Sequence, residues 1–194
     1  WFPVGLAYAF LYMGRYNLSV LKDLVDERFL SKDDFGTIFG VGTFTYGVSF
    51  LINGPLTDRI GGRKTMILSA SGVIFANVVL GLVVSSALAA TAGGAARPGY
   101  LYPSLMALYA LNMYFQSFGA VSVVKVNASW FHLRERGTFG GIFGVLISLG
   151  LLLAFDWGRK IGEGISRPAM FYVPSLILFL VLIPLVFVVR DTPG

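Results

Sequence analysis

Long apolar runs alternate with short polar ones along this chain. Six runs are long enough for a helix to cross a bilayer, which takes about 20 apolar residues. They fall at about residues 3–24, 35–56, 65–88, 102–131, 138–155 and 168–189. This pattern predicts an all-α membrane protein with six transmembrane helices, and an even number of spans puts both termini on one side. The second helix has a start signal in Ser31-Lys32-Asp33-Asp34, with Ser31 as cap and Asp34 three residues on. His132 to Arg136 reads as a charged turn, Asp156 to Arg167 as a polar loop, and Arg190 to Gly194 as a polar exit. The last span is expected to kink at Pro184.

One residue breaks the pattern of the first run. Arg15 stands at its middle, where a charge costs at least ~2.5–3.5 kcal/mol on insertion scales and defaults to a functional reading. Tyr8, Tyr12, Arg15, Ser19 and Lys22 share one helical face. On span two Gly42, Tyr46, Ser49 and Asn53 share a face; on span four Tyr114, Phe118 and Lys125 do so, with Ser122 at the edge. Such stripes either line a cavity with Arg15 or tie helices together. Lys125 lies roughly 9–10 Å inside the exit of span four, deep enough to face that cavity or to snorkel to the interface. Lys22 is expected to pair with Asp26. No Asp or Glu falls deep in any run. An anionic ligand is therefore the natural counter-charge, with Arg15 as a bidentate fork for phosphate or carboxylate.

Composition narrows the class. Of 194 residues, 56% are hydrophobic and 13% charged, and mean hydropathy is +0.75. The net charge of +5 forms no basic tract, so no nucleic-acid partner is expected. Cysteine is absent, which excludes disulfides and thiolate chemistry. No metal-ligand cluster, cofactor loop or Ser/His/Asp set is present, so neither an enzyme nor a bound cofactor is expected. The first run carries Arg15 and lacks a cleavage site, so it is not a signal peptide. The start at Trp1 rather than Met leads us to expect that the natural N-terminus is missing. Gly36-x-x-x-Gly40, Gly137-x-x-x-Gly141 and Gly140-x-x-x-Gly144 are expected to pack helices closely. Lys and Arg number six at one set of helix ends and seven at the other, so charge does not decide orientation.

Between spans two and three, Gly54-Pro55-Leu56-Thr57-Asp58-Arg59-Ile60-Gly61-Gly62-Arg63-Lys64 resembles the signature loop of the major facilitator superfamily. The resemblance implies that the chain is the N-terminal six-helix half of a twelve-helix carrier, with cytoplasmic termini. It also implies a cytoplasmic gate formed by Gly54, Asp58, Arg59, Gly61, Arg63 and Lys64. Further motifs resemble the organophosphate:phosphate antiporter branch. They are Tyr8, Tyr12 and Arg15; Tyr46-Gly47-Val48-Ser49; Asn112 to Gly119 with Gln116; and Trp130-Phe131 followed by Arg134-Glu135-Arg136-Gly137. Arg190-Asp191-Thr192-Pro193 resembles the start of that branch's central loop.

This resemblance implies exchange of a sugar phosphate or glycerol phosphate for inorganic phosphate. Arg15, Tyr8, Tyr12, Tyr46, Ser49, Asn53, Tyr114, Gln116 and Lys125 are then the substrate-binding candidates. Expected partners are the small anionic substrate, membrane lipid and a C-terminal six-helix half; the expected location is a bacterial inner membrane. Two positions depart from the branch. Phe50 stands where a Lys is usual, and span five lacks the His of glycerol-phosphate exchangers. Proton-coupled organic-acid symporters are the alternative, but Gly14 and Gln116 stand where that branch carries Asp and Glu. A membrane sensor of sugar phosphates is an alternative of another class.

Overall fold

The computed structural model describes residues 2–132 and 134–189. Trp1, Leu133 and the expected polar exit from Arg190 to Gly194 lie outside the described residues. Those described are helical or in short connections, with no strand among them. The elements are α1 (Phe2–Leu24), α2 (Lys32–Ile60), α3 (Gly62–Ala90), α4 (Leu101–Trp130), α5 (Arg136–Leu152), α6 (Gly158–Gly164) and α7 (Ala169–Val188). A π-helical turn, Leu153–Trp157, joins α5 to α6. Lys32–Ile60, Gly62–Ala90, Gly137–Gly164 and Ala169–Val188 are long and apolar enough to cross a membrane. Among the described helices α1 and α4 are equally long but too polar to join that group, because they carry the tyrosines, amides and cations of the interior.

Local chemistry sets the boundaries. Ser31 caps α2 in a capping box: Asp34 N donates to Ser31 Oγ at 3.0 Å, and Ser31 N donates to the Asp34 carboxylate at 3.3 Å. The polar loop expected from Asp156 to Arg167 is mostly helix. Four of its five charges lie in ion pairs one turn apart, Lys160–Asp156 and Arg159–Glu163, each at 2.8 Å, and such pairs support a helix. Span two was expected to stop near Leu56, but α2 carries Pro55 inside it and runs on to Ile60. Lys22 pairs with Glu27 at 3.0 Å rather than with Asp26, since the α1–α2 connection turns the side chain of Glu27 back. That bond holds the Glu27 carboxyl below its ordinary range. Its contribution is present at neutral pH and is lost as pH falls through the lowered value.

The helices bury two large apolar clusters, one at each end of the bundle, and a small third one of Met13, Leu153 and Ala154. The cluster away from the signature loop gathers Leu18, Leu21, Leu30, Ile38, Leu80, Leu101, Tyr109 and Phe171. The cluster beside that loop gathers Val4, Leu11, Met66, Val73, Val123, Phe139, Phe143 and Leu185. Between them lies a buried polar layer that includes Asn17, Ser69, Asn77, Asn112 and Gln116. α1 runs through the middle, against α3, α4, α5, α6 and α7, while α2 packs chiefly on α4. Phe75 and Leu82 of α3 and Leu176, Phe179, Leu180 and Phe187 of α7 are exposed. In a protein with helices of this length and hydropathy, such a surface faces lipid.

The glycines that pack closely are not the expected ones. A Cβ on Gly36, Gly40, Gly137, Gly140, Gly141 or Gly144 would meet nothing within 4 Å among the described residues. The tightest contact is at Gly72, where a Cβ would overlap the Phe115 ring. We predict that Gly72→Ala lowers the thermal unfolding midpoint in detergent, at a cost of about 1–3 kcal/mol. Adding Phe115→Leu should recover part of the loss; equal damage in single and double variants would contradict the contact.

Candidate functional site

Arg15 sits halfway along α1, at the level of the polar layer. Its guanidinium carbon lies 4.8 Å from the ring centre of Tyr12 and 4.6 Å from that of Tyr46. Each ring face attracts the cation. The tyrosines form a row along α1, with Tyr8–Tyr12 edge-on at 5.4 Å and Tyr12–Tyr16 stacked at 6.1 Å. One terminal nitrogen of Arg15 donates weakly to the Gln116 side-chain oxygen at 3.4 Å. Its Nε is buried without a partner. Arg15 joins none of the ion pairs among the described residues. No Asp or Glu is among the buried polar residues. The site is thus a cation held by aromatic faces and amides, with its charge unanswered.

α4 fixes the backbone that carries Arg15. The Gln116 amide nitrogen donates to the Leu11 carbonyl at 2.7 Å, and that of Asn112 to the Gly14 carbonyl at 2.9 Å. The Tyr109 hydroxyl donates to the carbonyl of Arg15 itself at 3.4 Å. Residues 109, 112 and 116 follow i, i+3, i+7, one face of α4. Behind them Asn77 of α3 accepts from Asn17 at 3.0 Å and donates to the Val73 carbonyl at 3.0 Å and to Asn112 at 3.4 Å. These bonds satisfy most of the buried amides, as burial requires. Tyr109, Asn17 and Asn77 were not among the candidates. Their signal was present as amides and a phenol at helical spacing on apolar helices.

The other candidates divide. Tyr8, Tyr12, Tyr46 and Gln116 gather at Arg15. Asn53 is buried and donates to Ser117 Oγ at 2.7 Å, while its side-chain oxygen is buried without a partner. Ser49 is buried on the same helix. Tyr114 packs edge-on against Phe118 at 5.7 Å. No hydrogen bond or ring contact among the described residues joins Ser49 or Tyr114 to Arg15. Lys125 is drawn elsewhere. Its ammonium donates to Asp58 at 2.6 Å, which places it at the signature loop.

That loop is a single residue. α2 ends at Ile60, α3 begins at Gly62, and Gly61 between them has φ +97° and ψ 149°, a backbone conformation open almost only to glycine. Gly62 has a different reason to be glycine, since a Cβ there would come within 2.7 Å of the Val126 side chain on α4. The α2–α3 corner is tied to its neighbours at three points. Asp58 reaches Lys125, Ser122 Oγ donates to Thr65 Oγ1 at 2.7 Å, and the Arg63 guanidinium donates to the Val186 carbonyl of α7. Gly54 lies inside α2, and Arg59 and Lys64 are exposed.

Comparison with known proteins bears on this arrangement. The chain is 26% identical to the glycerol-3-phosphate transporter of Bacillus subtilis (strain 168) over 202 aligned positions, covering 98% of this chain and 40% of that protein. It is 28% identical to the membrane sensor protein UhpC of Salmonella typhimurium, over 82% of this chain and 34% of that protein. It is 24% identical to a probable hexose phosphate transport protein of Chlamydia trachomatis, over 99% of this chain and 39% of that protein. The chain thus spans two fifths or less of these relatives. Residues 4–194 match the family model described as Major Facilitator Superfamily, so this is a membrane protein that belongs to the major facilitator superfamily.

Proposed function

We propose that this chain is the N-terminal six-helix half of a twelve-helix carrier. It moves a phosphorylated organic anion, a sugar phosphate or glycerol phosphate, in exchange for inorganic phosphate. The observation that carries the reading is Arg15: a half-buried guanidinium between two tyrosine rings, with no carboxylate partner among the described residues. A phosphate oxyanion supplies the charge the site lacks, and a guanidinium grips it through two parallel bonds. Tyr8, Tyr12, Tyr46 and Tyr114 offer hydroxyls, Ser49 a hydroxyl, and Asn53 and Gln116 amide groups, as further ligands. The C-terminal half closes the site from the other side, since such sites lie near the midplane between repeats. The relatives named for glycerol phosphate and hexose phosphate transport support the substrate class. The bacterial origin of these relatives supports an inner (plasma) membrane location, and the resemblance of the Gly54–Lys64 signature loop supports cytoplasmic termini.

The lack of a buried Asp or Glu among the described residues favours exchange over proton-coupled organic-acid symport, which needs a protonatable carrier. In liposomes the full-length protein should take up labelled phosphate only against internal phosphate or a phosphorylated anion. Uptake driven by a proton gradient alone would establish the symport reading instead. The likeness to a protein named as a membrane sensor favours a second reading in which the same Arg15 site reports an external sugar phosphate. Substrate binding with no flux in liposomes would establish that one.

Arg15→Lys should be nearly as damaging as Arg15→Ala. A lysine keeps the charge but loses the planar pair of donors. Loss of a bidentate charged contact costs a few kcal/mol, on the order of a hundredfold in affinity. Tyr12→Phe removes one hydroxyl and keeps the ring over Arg15, so it should cost about tenfold or less. Calorimetry with phosphate and a sugar phosphate reads all three; an Arg15→Lys protein that binds like the parent rules out the fork.

The signature corner is proposed as the cytoplasmic gate, with Gly54, Asp58, Arg59, Gly61, Arg63 and Lys64 joined by Lys125. Asp58→Asn and Lys125→Gln should each preserve substrate binding and slow exchange, because both alter the balance of states rather than the site. The pair is shared, so the double variant should be no slower than the worse single one. Additive defects would separate Lys125 from the gate.

A further inference from the structure

At the end of the bundle opposite the signature corner lies a cavity of about 790 Å³. It is bounded by the α1–α2 connection, the last turn of α3 with the α3–α4 connection, and Arg167 beyond α6. Three arginines from these three connections line it, Arg28, Arg97 and Arg167, with Asp26 as its one acid. Counting Asp34, which pairs with Arg97, three positive charges meet two negative ones, a surplus of one.

Two of the arginines are held in place with donors to spare. Arg167 donates from Nε to the Leu24 carbonyl at 2.9 Å, which leaves its two terminal nitrogens unspent. Arg97 donates from one terminal nitrogen to Asp34, the acid fixed in the α2 capping box. That bond favours the charged form of Arg97. Arg28 is exposed and has no hydrogen bond or ion pair among the described residues. The floor is apolar, with Val25, Phe29 and Leu88. Two anchored forks and one free cation around an apolar floor suit a phosphate group attached to something greasy.

The position points the same way. The cavity opens at the end of α3, and Leu82 of α3 and Leu176 and Phe179 of α7 are exposed on the bundle surface below that end. Acyl chains lying on that surface bring a headgroup to the level of these arginines.

We propose that this cavity is a second phosphate-binding site, distinct from Arg15, whose phosphate is carried by an anionic phospholipid headgroup. The inference does not rest on the carrier reading of Arg15, and its test is independent of transport. The full-length protein in neutral detergent is titrated with short-chain phosphatidylglycerol, short-chain phosphatidylcholine or inorganic phosphate, and the thermal unfolding midpoint is followed. Phosphatidylglycerol should raise the midpoint and phosphatidylcholine should not. Arg28 makes no hydrogen bond or ion pair among the described residues, so Arg28→Gln should leave the starting midpoint unchanged and weaken the phosphatidylglycerol response about tenfold. Arg97→Gln should do the same from a lowered starting midpoint, and Arg15→Lys should leave the response intact. If inorganic phosphate alone reproduces the shift with the same dependence on Arg28, the site stands and its ligand is a soluble phosphate. A response that survives both Arg28→Gln and Arg97→Gln, or that disappears with Arg15→Lys, overturns the site.

Discussion

A guanidinium held halfway through a helical bundle, with no acid among the described residues to answer it, is the constraint that orders this molecule. An unpaired charge in a low-dielectric interior is costly, and the fold meets the cost in two ways. Tyr12 and Tyr46 set ring faces against the cation. Gln116, Asn112 and Tyr109 spend their donors on α1 carbonyls rather than on each other. The first device lowers the cost of the charge without cancelling it, and the second keeps the helix beneath it from turning. Together they leave a charge that is tolerated and still available, which suits reversible binding better than a buried ion pair would.

The bundle is built around that level. Apolar clusters fill both ends, and the amide layer separates them. Amides are the right chemistry for such a layer, since each can donate and accept at once, so α1, α3 and α4 join without any net charge. The signature corner stands at one end, bound to α4 and α7 through Lys125, Thr65 and Arg63. A change at the corner therefore acts first on α4, the helix whose side chains hold Arg15 in register. The site and the corner have a physical route between them.

Much of this was legible in the sequence, and the failures share a cause. The apolar runs locate the helices because bilayer length and hydropathy are properties of a single segment. Ser31 and Asp34 announced the start of α2 because a capping box is local. Arg15 stood out because a charge in the middle of an apolar run is costly and rare. The errors came where a partner decides. Lys125 looked like a cavity residue until α2 brought Asp58 to it. The glycines at 36, 40, 137, 140, 141 and 144 matched a packing motif but meet no neighbour among the described residues, while Gly72 meets Phe115. The segment from Asp156 looked like a loop by its charges, four of which in fact pair along a helix. Tyr109 was overlooked because its target is a backbone carbonyl, which carries no signal in a sequence.

The cross-helix grip on Arg15 also has a consequence in time. Gln116 follows Arg15 by 101 residues, so the chain must grow through three further helices before α1 meets the amides that hold it. At roughly 5–20 residues per second, the ribosome takes on the order of 5–20 s to deliver them. Throughout that interval the nascent first helix carries its cation without support from α4. The α4 contacts that hold α1 in register are therefore late to form, although α1 is made first.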